Sequence, residues 1–201
     1  MGDYTIRPLS LGSWDSFAAL AERHNGCWSA VHGSCWAQGS GCWCMRFQRS
    51  TTPKRDGEGN RARKQRLVSE GRAHAALVFD DADAVAWCQY GTLEELPDIY
   101  HRKEYEAGLG TWPDYRLTCL FVDKNYRRRG VAQVALDGAL DLIAQAGGGV
   151  VEAYPQDAEG QLISPSSLYS GTRHLFEQAG FSYGRPKGKY HCVMSRTVPP
   201  G

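Results

Sequence analysis

The stretch Val122-Asp-Lys-Asn-Tyr-Arg127-Arg-Arg-Gly130-Val-Ala132 decides the fold. The run 116–122 leads into it and is apolar on both faces, as a central strand should be. A helix follows directly, because apolar and polar residues recur with helical period over 131–146. Gly130 and Ala132 keep its first turn free of bulk, so unpaired backbone N–H groups can approach an anion. With three arginines beside them, these groups predict a pyrophosphate site.

Two other phosphate-binding loops do not fit this stretch. A nucleoside-triphosphate loop needs Gly-Lys followed by Ser or Thr, and a dinucleotide loop needs three glycines. The spacing here is Arg-x-x-Gly-x-Ala after Leu120-Phe-Val122, which resembles the diagnostic motif of the GNAT superfamily of acyl-CoA-dependent N-acetyltransferases. The second motif of that family, an aromatic residue followed by Gly-Phe, is matched by Phe176-Glu-Gln-Ala-Gly180-Phe181. The two motifs cover 116–181.

The resemblance implies an α/β (α+β) fold with a mixed, mostly antiparallel sheet and flanking helices. Its central strands, here 116–122 and 150–154, are expected to splay apart. It also implies one domain over 1–201, with a Cys/Trp-rich and basic insertion at about 24–72. Acetyl-CoA is the implied co-substrate, with its pantetheine arm in the cleft between the splayed strands. The residues implied to bind it are Leu120, Phe121, Val122, Arg127, Arg128, Arg129, Gly130, Val131, Ala132 and, from the second motif, Phe176.

The implied function is N-acetyl transfer from acetyl-CoA to a primary amine of a small molecule or a protein, by direct attack of the amine. The departing thiolate needs a proton, and many family members have a tyrosine where this chain has Phe176. Phenylalanine cannot donate a proton, so Tyr169 is the candidate replacement, with water as the alternative. The same phenylalanine leaves a second function open: a catalytically degenerate domain that binds acyl-CoA as a sensor or scaffold.

Glu152 is the candidate catalytic base. It interrupts the apolar strand Val150-Val-Glu-Ala-Tyr154, where a buried carboxylate without a partner would be unfavourable. Two interpretations follow. The carboxylate either faces the cleft, where it could accept the amine proton, or it forms a structural ion pair with an arginine.

The segment that contains Cys27, Cys35, Cys42 and Cys44 also carries three tryptophans. Its cysteine spacings do not fit paired zinc ligands, so we predict no metal, although His24 or His32 could complete a site. The tryptophans are expected either to wall the acceptor pocket or to form a small satellite core. Without a secretion signal, free thiols are expected throughout, including Cys88, Cys119 and Cys192.

The basic run 54–72 allows two interpretations. It could contact the 3′-phosphate of the cofactor or an acidic partner, but its alternation with polar residues favours a solvated helix face. The remaining elements expected are a strand at 4–8, a helix capped by Ser13, a helix at 60–70, a hairpin of strands 73–79 and 84–90, a long connection at 91–114 with one helical turn, a helix whose inner face runs from Leu168 to Ala179, and strands at 181–183 and 189–195.

Composition limits the classes of partner. The formal net charge of +1 gives no global attraction for nucleic acid or an anionic membrane. Hydrophobic content of 42% and charged content of 22% are those of an ordinary globular protein, and no run is long and apolar enough to span a membrane. The expected location is cytoplasmic. The expected partner is a small-molecule or protein amine, with neither nucleic acid nor membrane, and a homodimer is left open.

Overall fold

The computed structural model describes residues 3–23, 43–48, 59–157 and 165–201. Its strands are β1 (Thr5–Pro8), β2 (His74–Asp80), β3 (Asp83–Thr92), β4 (Tyr115–Val122), β5 (Gly149–Ala153), β6 (Ser182–Lys187) and β7 (His191–Val198). These strands form one sheet in the order β1-β2-β3-β4-β5-β7-β6. Every neighbouring pair is antiparallel except β4 and β5, which are parallel. The predicted mixed, mostly antiparallel sheet is therefore confirmed.

In the part of the chain that the structure describes, five α-helices flank the sheet. They are α1 (Trp14–Glu22), α2 (Asn60–Ser69), α3 (Arg102–Ala107), α4 (Val131–Gln145) and α5 (Arg173–Gln178). Helices α4 and α5 bury apolar residues against one face in a first core, and α1 and α2 bury theirs against the other face in a second core. A third core lies under α3 and contains Phe47, Leu96, Ile99, Tyr105, Tyr154 and Val193.

Two predicted helix features were wrong. The helix expected from Leu168 to Ala179 is a 3₁₀ turn, Pro165–Ser170, followed by α5. Gly171 separates them because its φ of +71° cannot continue a right-handed helix. Ser13 precedes α1, but its hydroxyl donates to Pro8 O at 2.8 Å and leaves the helix end without a side-chain cap.

The predicted splay begins after the third residue of β4. The register pairs join Tyr115 to Val151, Arg116 to Glu152 and Leu117 to Ala153. Within the described ranges, β4 pairs beyond this point with β3 only, so its edge toward β5 has no strand partner; the 3₁₀ turn Pro165–Ser170 lies close to β4. A cleft between two central strands follows from this divergence.

A β-bulge lies where the strands diverge. On β3, Tyr90 pairs with Leu117 and Gln89 pairs with Cys119, which leaves Thr118 of β4 as an extra residue. Leu117 packs in the first core, whereas Cys119 packs in the second.

Candidate functional site

The turn between β4 and α4 is fixed by a buried aspartate. Asp123 is fully buried, and its carboxylate accepts hydrogen bonds from Asn125 N at 2.9 Å and Arg23 Nη1 at 3.1 Å. These hydrogen bonds fix the direction of the chain after β4. Residues 127–132, called here the cofactor loop, connect this turn to the start of α4.

The cofactor loop presents backbone amides in the manner the sequence predicts. The first bonds into α4 run from Gln133 N and Val134 N to Gly130 O, so the amides of Val131 and Ala132 have no acceptor inside the helix. Gly130 has φ of +78°, and a Cβ built on it would meet nothing within 4 Å. Its glycine character is thus required by the left-handed backbone, while the space beside it is open to a ligand.

Three exposed arginines belong to the same loop as these amides. Arg127, Arg128 and Arg129 make no ion pair with a carboxylate in the described part of the chain. Full positive charge, free amides and the positive end of a helix dipole together form a site that a pyrophosphate fits.

The open edge of β4 leads from this loop into the cleft. Leu120 and Val122 pack on the first core, and Phe121 stacks on Trp87 with ring centroids 4.3 Å apart. Their side chains are occupied by packing, so the backbone groups on the β5 side are what the strand offers to a ligand. An extended, amide-containing chain could add there like a strand.

Glu152 lies on the opposite face of the sheet from α4. It is 7% exposed, and its Oε2 accepts hydrogen bonds from Tyr105 Oη at 2.7 Å and Tyr154 Oη at 3.0 Å. Its other oxygen, Oε1, has no hydrogen-bond partner among the described residues. We call this side of β5, with its third core, the acceptor face.

The structural ion pair expected for Glu152 as one alternative is not formed within the described ranges. Arg116 is its neighbour in the β4–β5 register, but the guanidinium donates to Leu96 O at 2.8 Å instead. Burial raises the pKa of the Tyr105 and Tyr154 phenols, and the Glu152 carboxylate raises it further, so both phenols remain hydrogen-bond donors.

The tyrosine partners were missed by sequence reasoning. Tyr154 lies two residues beyond Glu152, and that spacing places both side chains on one face of the strand. Tyr105 comes from α3, inside the segment predicted to be mostly loop, and no local pattern connects it to β5.

No family model and no curated protein matches the chain. A GNAT-family protein from Desulfovibrio desulfuricans is 18% identical, with 97% of this chain and 99% of that one covered and a TM-score of 0.51. A Corynebacterium glutamicum protein titled histone acetyltransferase HPA2 and related acetyltransferase is 14% identical, with 100% and 98% covered and a TM-score of 0.53. This chain has the GNAT fold.

Phe176 and Tyr169 occupy different cores of this GNAT fold. Phe176 is buried in the first core, where its ring meets Phe181 edge to face at 5.1 Å. Tyr169 is half-buried against the third core, and Arg46 Cζ lies 5.8 Å from its ring centroid. Tyr169 is therefore on the same side of the sheet as Glu152, and its role as proton donor stays a prediction.

The cysteine prediction was wrong for one pair. Cys44 forms a disulfide with Cys119 of β4, across 75 positions in sequence. Cys88 and Cys192 are free and buried, as expected. Cys27, Cys35, Cys42, His24 and His32 lie outside the described residues, as do the first two tryptophans of the segment.

Trp43 supports the satellite-core interpretation for its own part of the segment. It is buried in the second core, stacked on Trp14 at 5.8 Å and packed against Phe17 at 6.0 Å. Across the ranges the structure covers, no group of three or more metal-ligating side chains is found.

Helix α2 confirms the solvated face predicted for the described part of the basic run. Arg61 pairs with Glu22 at 3.2 Å, and Arg66 and Arg72 both pair with Glu70. Lys64 is the exception: it is 1% exposed and donates to Gln48 Oε1 at 2.8 Å and Gln89 Oε1 at 2.6 Å. A search of the described helices finds none with the length and apolar character of a membrane span.

Proposed function

We propose that this chain transfers an acetyl group from acetyl-CoA to a primary amine. One observation carries the proposal: the cofactor loop stands at the end of β4, the strand whose edge toward β5 is open. An anion site followed by an unpaired strand edge suits a ligand with phosphates at one end and an amide-containing arm, which is the chemistry of coenzyme A.

Different segments would bind different parts of acetyl-CoA. Arg127, Arg128, Arg129 and the amides of Val131 and Ala132 would hold the phosphates, and the backbone of 120–122 would bind the arm. Bound acetyl-CoA supplies an acetyl group already activated as a thioester. These groups would direct the acetyl group toward the divergence of β4 and β5, and Glu152 lies one register pair before that point, on the acceptor face.

Glu152 would accept the proton of the attacking amine through Oε1 or through one water. Tyr105 and Tyr154 hold the other oxygen and thereby fix the orientation of the carboxylate. Tyr169, or water in its place, would return a proton to the thiolate. In this arrangement the nucleophile is the amine itself, and no residue of the chain becomes acylated.

The second candidate, an acyl-CoA sensor without catalysis, rests on Phe176. Its burial against Phe181 gives the second motif a packing role and no proton donor. The two functions share the cofactor loop and differ only in turnover.

Release of coenzyme A across a panel of primary amines separates them. An enzyme turns over many equivalents of acetyl-CoA with at least one amine, while a sensor shows a ligand-induced rise in Tm without turnover. A protein whose Tm does not respond to acetyl-CoA would contradict both functions.

A further inference from the structure

Four cationic side chains collect on the acceptor face. Arg116 comes from β4, Arg185 and Lys187 come from β6, and Arg46 comes from the segment 43–48. Arg116 is 2% exposed and Lys187 is 7% exposed, while Arg46 and Arg185 are half-buried. This concentration of positive charge has no role in the reaction described above.

Aromatic rings join the four cations to the candidate base. Arg46 Cζ and Lys187 Nζ lie 5.3 Å and 5.9 Å from the ring centroid of Tyr100. Lys187 Nζ is also 5.7 Å from the ring of Tyr154, and Arg116 and Arg185 flank the ring of Tyr105 at 5.4 Å and 5.2 Å. Since Tyr105 and Tyr154 both donate to Glu152, the cations surround the groups that orient the carboxylate.

Three of the four cations donate hydrogen bonds to backbone carbonyls, which carry no net charge. Arg116 donates to Leu96 O at 2.8 Å, Arg185 to Tyr105 O at 2.8 Å and Lys187 to Tyr100 O at 2.6 Å. Within 3–23, 43–48, 59–157 and 165–201, none of the four cations forms an ion pair with a carboxylate. Glu152 and Glu104 supply two negative charges beside these four cations, so the cluster keeps a net positive charge that an anionic ligand would balance.

The titratable neighbours show the same excess of positive potential. Burial, together with the charges of Arg46, Arg185 and Arg116, lowers the pKa of Lys187 to about 8 despite the opposing charge of Glu104. Burial and the charges of Lys187, Arg46 and His101 lower the pKa of His191 to about 4, so His191 is neutral at pH 7. Glu104 has the largest single charge effect on Lys187, but its carboxylate is 55% exposed and also accepts from Gly188 N at 3.1 Å.

The four cations lie too far from the cofactor loop to bind the phosphates of the cofactor. The cofactor loop begins after the far end of β4, and the strand from Arg116 to Val122 spans about 20 Å at ~3.3 Å per residue. The loop also leads into α4 on the first core, whereas Tyr105 and Tyr154 belong to the third core. The loop has its own three arginines for the phosphates.

We propose that Arg46, Arg116, Arg185 and Lys187 bind an anionic group of the acceptor, so that the acceptor is a small amine that also carries a carboxylate or phosphonate. This inference rests on the proposed acetyl transfer. Lys187 and Arg46 share the ring of Tyr100 and are the pair expected to meet the anion, while Arg116 and Arg185 add charge behind it. Because Lys187 and Arg116 are buried, the anion has to enter with a small molecule.

Matched acceptors test the proposal. Glycine, β-alanine and L-phenylalanine are each compared with their primary amides, which keep the amine and remove the charge, and 2-aminoethylphosphonate distinguishes phosphonate from carboxylate. The wild-type protein is expected to give a kcat/KM for coenzyme A release at least tenfold higher for an anionic acceptor than for its neutral counterpart. Lys187→Gln and Arg46→Gln should each reduce that preference about tenfold.

The control is Lys189→Gln on the same hairpin, because Lys189 is exposed and lies beside Tyr190, 4.9 Å from its ring. This control should retain the preference, and all variants should retain the rise in Tm with acetyl-CoA. Lys187 and Arg46 come from different segments, so loss of folding in one variant leaves the other informative.

The outcomes distinguish failure of the anionic acceptor from failure of acetyl transfer itself. Equal rates for acids and amides, or a preference unchanged in both variants, would overturn the anionic acceptor and leave acetyl transfer intact. A wild-type Tm that does not respond to acetyl-CoA would remove the proposed function itself. If acetyl-CoA binds but no acceptor turns over, the anionic compounds and their neutral counterparts are titrated into the coenzyme A complex by calorimetry. Binding of the anionic compounds to the wild-type protein but not to Lys187→Gln supports the proposal. Equal binding of the anionic and neutral compounds, or no binding of either, overturns it.

Discussion

The cofactor loop and the acceptor face both concentrate positive charge, but they are built in opposite ways. The loop places three arginines in succession on an exposed turn, where water solvates them at little free-energy cost. The acceptor face gathers its cations from residue 46, from β4 and from β6, and buries two of them. Adjacent exposed charges can be read from a sequence, whereas a buried cluster exists only after the sheet has brought its members together.

The largest expected effect is a loss of activity on substituting Glu152, a residue of the acceptor face. Glu152→Gln keeps the shape of the side chain and removes its basicity, so kcat/KM should fall about 10²–10⁴-fold while acetyl-CoA affinity is unchanged. The loss should shrink as pH rises and more of the amine is free. Steady-state kinetics beside a thermal-shift titration measure both quantities. A variant that unfolds but whose folded fraction keeps full activity would assign Glu152 a structural role.

A second expected effect concerns the disulfide that attaches the segment of Arg46 to β4. Cys44→Ser should lower the free energy of unfolding by about 2–4 kcal/mol, because the bridge closes a long loop. Urea denaturation measures the change. A reducing agent should bring the wild-type protein to the stability of the variant and leave the variant unaffected. Equal stability of the oxidised wild-type protein and Cys44→Ser would show that the bridge contributes nothing.

A third effect isolates the cofactor loop. Acetyl-CoA at about one hundred times its Kd should stabilise the wild-type protein by about 2.7 kcal/mol. Gly130→Val should lose this gain, since φ of +78° is unfavourable for a β-branched residue and its side chain would occupy the open space beside the amides. Gly110→Val is the matched control, because Gly110 has no positive φ and similar open space. Equal ligand stabilisation of both variants would place the phosphates elsewhere.

The smallest expected effect is a pH dependence of the acceptor face. Lys187 binds an anion when protonated, and its pKa of about 8 means that it loses this charge as pH rises. With one anionic acceptor, the ratio of kcat/KM between the wild-type protein and Lys187→Gln should fall about fivefold from pH 7 to pH 9, as Lys187 goes from mostly protonated to mostly neutral. Taking the ratio cancels the ionisation of the acceptor amine. A ratio independent of pH would remove Lys187 from anion binding.

The sequence predicted those parts of the molecule that depend on neighbouring residues. The cofactor loop, the β2–β3 hairpin and α4 each follow from a local pattern, and each lies where it was expected. The break at Gly171 in the last predicted helix was missed. A glycine inside an apolar helical pattern can keep a helical φ or adopt a positive one, and the sequence does not show which.

The acceptor face was predicted only through Glu152. Tyr105 and Lys187 reach it from segments 47 residues before and 35 residues after, and neither carries a periodic signal. The Cys44–Cys119 bridge was missed for the same reason, since two cysteines 75 positions apart become partners only through the sheet. Contacts between distant segments depend on tertiary packing, which a single sequence does not show.

The extra residue Thr118 determines which face of the sheet each later side chain of β4 occupies. Before it, the odd-numbered residues Tyr115 and Leu117 pack in the first core; after it, the even-numbered Leu120 and Val122 do so. If β4 instead paired regularly through Thr118, without the bulge, every residue downstream in the strand would exchange faces and Cys119 would turn away from Cys44. One extra residue thus lets a single strand contribute Arg116 to the acceptor face near its start while its far end packs Leu120 and Val122 on the first core, just before the cofactor loop.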